Sequence, residues 1–174
     1  MNKQTQKLTF SGICLALCLL LPFLTGQIPQ IGNMISPMHI PVLLCGLLAG
    51  APYGALVGFI APLLRTALFS MPPVMVSVRM AFELMAYGFI AGILVNRLPK
   101  TLPCLYASLI GAMFLGRIVW GIASVIILGA VGMPFTFEMF LAGGFLEAIP
   151  AIILHILIIP PIVLALRKTG LGRS

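Results

Sequence analysis

Apolar residues run through this chain in stretches long enough to cross a lipid bilayer, and no other feature restricts its possible folds so strongly. A hydrocarbon core about 30 Å thick needs roughly 20 apolar residues per helix, and within it every backbone N–H and C=O must find an internal partner. Of 174 residues, 61% are hydrophobic and 7% are charged, whereas soluble domains carry roughly 25% charged residues. Lipid is the expected solvent, and the length suits about five to seven helices with little outside the membrane.

Helix breakers and polar islands divide the sequence into spans near 8–25, 38–51, 53–70, 74–97, 103–130 and 138–167. We therefore expect an all-α integral membrane protein, a six-transmembrane-helix bundle in which residues 1–174 form a single membrane domain. The second span is short and carries Pro41, and the third carries Pro62, so kinks or tilts are expected there. The first apolar run follows Lys3 and Lys7 as a signal peptide would, but lacks a small-x-small cleavage site before a soluble domain, which favours a retained helix. Gly50 to Gly54 and Ser70 to Pro73 read as tight turns. The longer connection from Gly26 to Pro37 is polar without charge, as suits a loop folded over a cavity.

The net charge of +7 is not gathered into the basic stripe that nucleic acid requires. Membrane insertion accounts for it, because short cytoplasmic loops retain Lys and Arg. With six spans, Lys3, Lys7, Arg97, Lys100, Arg167, Lys168 and Arg173 all fall on one side, so both termini are expected to be cytoplasmic. The cell (plasma) membrane of a prokaryotic type of cell is the expected location.

Arg65, Arg79 and Arg117 remain inside spans, together with the only three acids, Glu83, Glu138 and Glu147. Ionised side chains are costly at the bilayer centre and normally face the bundle interior with partners. At about 1.5 Å per residue, Arg65 and Arg79 lie roughly 8 to 9 Å below the outer surface with Glu138 near the mouth, while Glu83, Glu147 and Arg117 lie roughly 14 to 20 Å down. Arg79, Glu83 and Tyr87 share one helix face by their spacing, and Arg117, Gly121 and Ser124 share another. Two readings stay open: Arg79 pairs with Glu83 and Arg117 with Glu147 only to hold helices together, or at least one arginine reaches a polar or anionic group of a ligand. Asn33 and His39 are placed to bond a ligand from above or to order the loop, Trp120 and Tyr87 offer aromatic faces, and His155 reads as a structural hydrogen-bonding group.

Metal and phosphoryl chemistry have no motif here: there is no HExxH, no P-loop and no Asp at all. Cys14, Cys18, Cys45 and Cys104 lack the paired spacing of a zinc or redox site and read as packing residues. No metal and no cofactor is expected.

The stretches FSGICLALCLLLP, PMHIPVLLCGLLAGAPYGALVGFIAPLLRTALFSMPPV and MAFELMAYGFIAGIL resemble the substrate-specific (S) components of energy-coupling factor (ECF) transporters. The likeness is strongest from Pro37 to Leu94 and only topological beyond. It implies a six-helix fold with a pocket in its outer half, not an enzyme, that binds a vitamin or vitamin precursor. It also implies partners, a transmembrane coupling subunit and two ATPase subunits. In that family the first helix carries a small-xxx-small motif for docking on the coupling subunit; here Gly12 and Ala16 hold that spacing, with Gly in place of the usual first Ala. The subgroups most similar to it are assigned to pantothenate and to precursors of the cobalamin lower ligand such as α-ribazole, with a pyridoxine-like ligand as a further candidate.

The expected substrate-binding set is thus Asn33, His39, Arg65, Arg79, Glu83, Tyr87, Arg117, Trp120 and Glu147. The rivals are a small intramembrane enzyme acting on a lipid or isoprenoid through Glu83 or Glu147, and a non-transporting assembly subunit whose buried charges only fix helix register.

Overall fold

The computed structural model describes residues 2–24 and 35–168. The Asn33 expectation, most of the loop from Gly26 to Pro37 and Arg173 lie outside the described residues. All regular elements among the described residues are helical: α1 (Lys3–Leu24), α2 (His39–Ala49), α3 (Ala51–Phe69), α4 (Val74–Arg97), α5 (Leu102–Ala130), α6 (Phe137–Leu141), a π-helical turn (Ala142–Leu146) and α7 (Ile149–Lys168). Five segments are long and apolar enough to cross a membrane, α6 through α7 counting as one. The sixth apolar helix is α2, whose 11 residues rise only about 16 Å.

The shortness of α2 fits its place. Ten of its 11 residues are buried, because it packs against α1, α3, α4 and α7. It ends at Gly50, which holds φ 110°, a conformation open to glycine and strained for other residues. The chain turns on that one residue and α3 starts at Ala51, earlier than the turn residues suggest. Pro52 fits this first turn because its missing N–H would have no intrahelical acceptor there.

The last apolar stretch, expected as one helix, is broken. Thr136 caps α6 by accepting the Met139 N–H at 3.3 Å. The Gly143–Gly144 pair then lies in the π turn, and Pro150 has no N–H for the carbonyl four residues earlier, so the ladder restarts only at α7.

Outward faces are mostly apolar: Leu20, Leu56, Phe89, Phe114, Ile126 and Leu157 are all exposed, as a lipid-facing surface requires. Inside, α3 and α4 make the most extensive contact in the bundle. Glycines let them meet backbone to backbone. A Cβ on Gly58 would fall on the Leu84 carbonyl, one on Gly88 would fall on Gly54, and one on Gly46 in α2 would fall on Gly88. Where lipid supplies no hydrophobic drive between helices, such close approach provides the van der Waals attraction that holds them.

Gly58→Ala and Gly88→Ala should each destabilise the purified protein by about 1–3 kcal/mol, the usual cost of overpacking. Gly129→Ala serves as the control, since a Cβ there meets nothing within 4 Å. Comparable thermal unfolding of all three variants would contradict the glycine-packed interface.

Candidate functional site

The site is built on Glu83, which α4 holds at 3% exposure in the bundle interior. Its Oε1 lies 3.0 Å from Arg117 Nη1 on α5. The same oxygen accepts a hydrogen bond from the Tyr87 hydroxyl one turn along α4, at 3.0 Å. His39 Nε2, at the start of α2, lies 3.6 Å away. Tyr87 reaches this place because Gly116 on α5 leaves room for its ring; a Cβ there would overlap the phenol. His39 in turn stacks on His155 of α7, with ring centroids 5.8 Å apart and planes at 21°. One carboxylate and its neighbours therefore join α2, α4, α5 and α7.

Beside this hub lies a cavity of about 210 Å³, whose wall includes His39, Glu83, Arg117, Arg79, Trp120 and Glu147. Val76 and Met80 add an apolar patch from α4. Trp120 is braced edge-on by Phe135, with centroids 5.6 Å apart, and stacked by Phe140 at 6.3 Å. Gly143 of the π turn sits where any side chain would press on the indole, its hypothetical Cβ being 3.2 Å from Trp120 Cη2. Glu147 follows directly on that turn and is exposed. The helix break thus sets both the indole's packing and the position of the carboxylate.

Neither charge pairing suggested by the sequence forms. Glu83 pairs with Arg117 across helices and not with Arg79 on its own, and Arg117 does not pair with Glu147. Arg79 Nε donates instead to the Met75 carbonyl at 3.3 Å. The cross-helix geometry wins because Arg117 lies within direct contact of a deeply buried carboxylate, where a lowered dielectric strengthens the attraction.

Six of the expected residues, His39, Arg79, Glu83, Arg117, Trp120 and Glu147, are gathered on the cavity wall. Tyr87 stands behind it, holding Glu83. Arg65 is elsewhere: its Nη1 donates to the Leu19 carbonyl at 2.5 Å, and its guanidinium lies over Phe23 at 4.9 Å and near Phe69 at 5.5 Å. There it ties α1 to α3. Gly12 and Ala16 lie on the exposed face of α1, while Ser11, Cys14 and Cys18 on the other face are buried. The Cys18 thiol contacts the Met38 carbonyl at 3.5 Å and the Cys45 thiol contacts Ser11 Oγ at 3.4 Å, so these cysteines pack the α1–α2 seam.

Sequence reasoning missed Gly143, Met80 and Val76 as wall residues. For Gly143 a signal existed: paired glycines and a proline interrupting an apolar span mark a discontinuous membrane helix, where binding sites form.

The sequence matches, over residues 6–163, the family model described as the substrate-specific component of the ECF transporter. The chain belongs to that family. It is accordingly a multi-pass membrane subunit of a transporter, one that has a small-molecule substrate and associates with an ECF module. A comparison with curated proteins gives no match.

Removing one partner of a buried ion pair leaves the other charge uncompensated, at a cost of about 3–5 kcal/mol. Glu83→Leu should therefore destabilise the detergent-purified protein by that order, and Glu83→Leu combined with Arg117→Met should recover most of the loss. Equal stability of the single and double variants in thermal unfolding would show that the pair does not hold the helices.

Proposed function

We propose that this chain captures a vitamin or vitamin precursor in the cavity beside Glu83 and delivers it inward together with a transmembrane coupling subunit and two ATPase subunits. The observation that carries this reading is the cavity itself: a polar, partly open space with Arg79, Glu147 and Trp120 on its wall, in a bundle whose core is mostly apolar. A bundle whose charges served only helix register would have no reason to keep Arg79 and Glu147 out of an ion pair beside such a space. His39, Arg79, Arg117, Trp120 and Glu147 are the residues we assign to substrate, with Glu83 and Tyr87 positioning Arg117. Arg65 is left out of that set because its contacts anchor α1. The chain acts as a binding subunit and not as an enzyme on this reading, since Glu83, the buried acid, is held by Arg117 and Tyr87.

Orientation follows from the cations. Lys7, Lys100 and Arg167 line one small notch at a single end of the bundle, and retention of positive charge makes that end cytoplasmic. Arg79 lies five residues from the start of α4, and Trp120 lies ten from the end of α5, both at the opposite end. The cavity is then reached from outside, and the protein resides in the plasma membrane of a prokaryotic cell with both termini cytoplasmic. Docking on the coupling subunit uses Gly12 and Ala16, whose small side chains leave the exposed face of α1 open to a partner helix.

A ligand at 100 times its dissociation constant adds about 2.7 kcal/mol to the folded state, so a thermal-stability panel of vitamins and precursors reads binding directly. We expect one compound to stabilise the chain, and Arg79→Ala or Trp120→Ala to weaken its binding at least tenfold, about 1.4 kcal/mol. No stabilisation by any compound would return the enzyme and assembly readings. Leu at both Gly12 and Ala16 should impair uptake in cells while leaving binding by the purified chain intact; equal loss of both would remove the separate docking face.

A further inference from the structure

The assignment of the cavity to a small-molecule cargo leaves the chemistry of that cargo open, and the charges on the wall narrow it. Two arginines and two glutamates line the space. Arg117 and Glu83, 3.0 Å apart, neutralise each other. Arg79 and Glu147 have no ion-pair partner among the described residues. Arg79 uses its Nε on the Met75 carbonyl and keeps its terminal nitrogens for other partners. Glu147, at the break between the π turn and α7, is exposed. One unpaired charge of each sign therefore stands on the same wall, contributed by two different elements.

A cargo with a net charge, or with none, leaves at least one of these two groups without a counter-charge on the cavity wall, and an ion without a partner inside a membrane-spanning bundle is disfavoured. A cargo carrying both signs satisfies both. Trp120, fixed from two sides by Phe135 and Phe140, supplies a rigid aromatic surface suited to a planar group. His39, 3% exposed, has neither ring nitrogen in a hydrogen bond with a described residue, so a hydroxyl or carbonyl of the cargo finds a partner there. The volume of about 210 Å³ is below the roughly 300–1,000 Å³ typical of drug-sized pockets and suits a cargo of about one ring system.

We propose, resting on the binding-subunit reading above, that the cargo is a small zwitterion with a planar body. Its anionic group, a carboxylate or phenolate, faces the Arg79 fork. Its cationic N–H group, an ammonium or pyridinium, faces Glu147. Its ring lies against Trp120.

The test is a thermal-stability titration of the full chain in detergent with probes of each charge type: phenylalanine, tyrosine and pyridoxine as zwitterions, pantothenate as an anion, thiamine as a cation, and α-ribazole as an uncharged aromatic. The expected result is that a zwitterion binds at least tenfold tighter than every probe of another charge type. Arg79→Gln and Glu147→Gln should each weaken that zwitterion at least tenfold. The charge-keeping variants Arg79→Lys and Glu147→Asp should lose less, which separates recognition of charge from a folding defect. Tightest binding of pantothenate, thiamine or α-ribazole overturns the zwitterion and leaves the binding-subunit reading standing. Zwitterion binding that is unchanged in both Gln variants also overturns it. Absence of a shift with every probe overturns both.

Discussion

A carboxylate taken out of water must be matched by donors and positive charge, and in this bundle Glu83 imposes that requirement on four helices at once. Arg117 supplies the charge from α5, Tyr87 a hydroxyl from α4, and His39 approaches from α2 with His155 of α7 stacked behind it. In hydrocarbon such a cluster has no alternative solvent, so its satisfaction fixes the rotation of each helix about its axis. The same geometry points Arg117 and His39 at the cavity. On the proposed reading, helix register and cargo recognition share one set of side chains, so a change at the hub would be felt in both.

The rest of the bundle divides into a rigid part and a broken part. Glycines at 46, 54, 58 and 88 bring α2, α3 and α4 into backbone contact, which leaves no slack on that side of the hub. On the other side the chain is interrupted, with α6, the π turn and α7 in place of a continuous span. The cavity opens between the two parts. A continuous helix would put side chains at successive turns along α5; the break instead lets Trp120 settle over Gly143 and sets Glu147 at the cavity wall. A firm wall facing an interrupted helix is how a membrane protein makes room for a polar guest without exposing its backbone to lipid.

Much of this was legible in the sequence for one physical reason: charge is so costly in a bilayer that Arg79, Glu83, Arg117 and Glu147 announce themselves against an apolar background. Helix breakers and polar islands between the apolar runs then marked out the spans. Partner choice was not legible, because spacing along one helix suggests Arg79 with Glu83, whereas the partner on α5 depends on how two helices are rotated. Arg65 shows the complementary limit. Its cost is met by the Leu19 carbonyl and by Phe23 and Phe69, contacts that no one-dimensional pattern reveals, so rarity alone placed it with the cavity residues. The π turn escaped because its residues are apolar enough to pass for the middle of a span.

The central claim is that cargo sits beside the Glu83 hub, between Arg79, Trp120 and Glu147. An experimental structure of the chain purified with its tightest-binding compound tests this most directly. The account predicts ligand density in the cavity, in contact with the Arg79 guanidinium and the Trp120 ring. Density lying instead against the Arg65 aromatic box between α1 and α3, with the cavity empty, would contradict it.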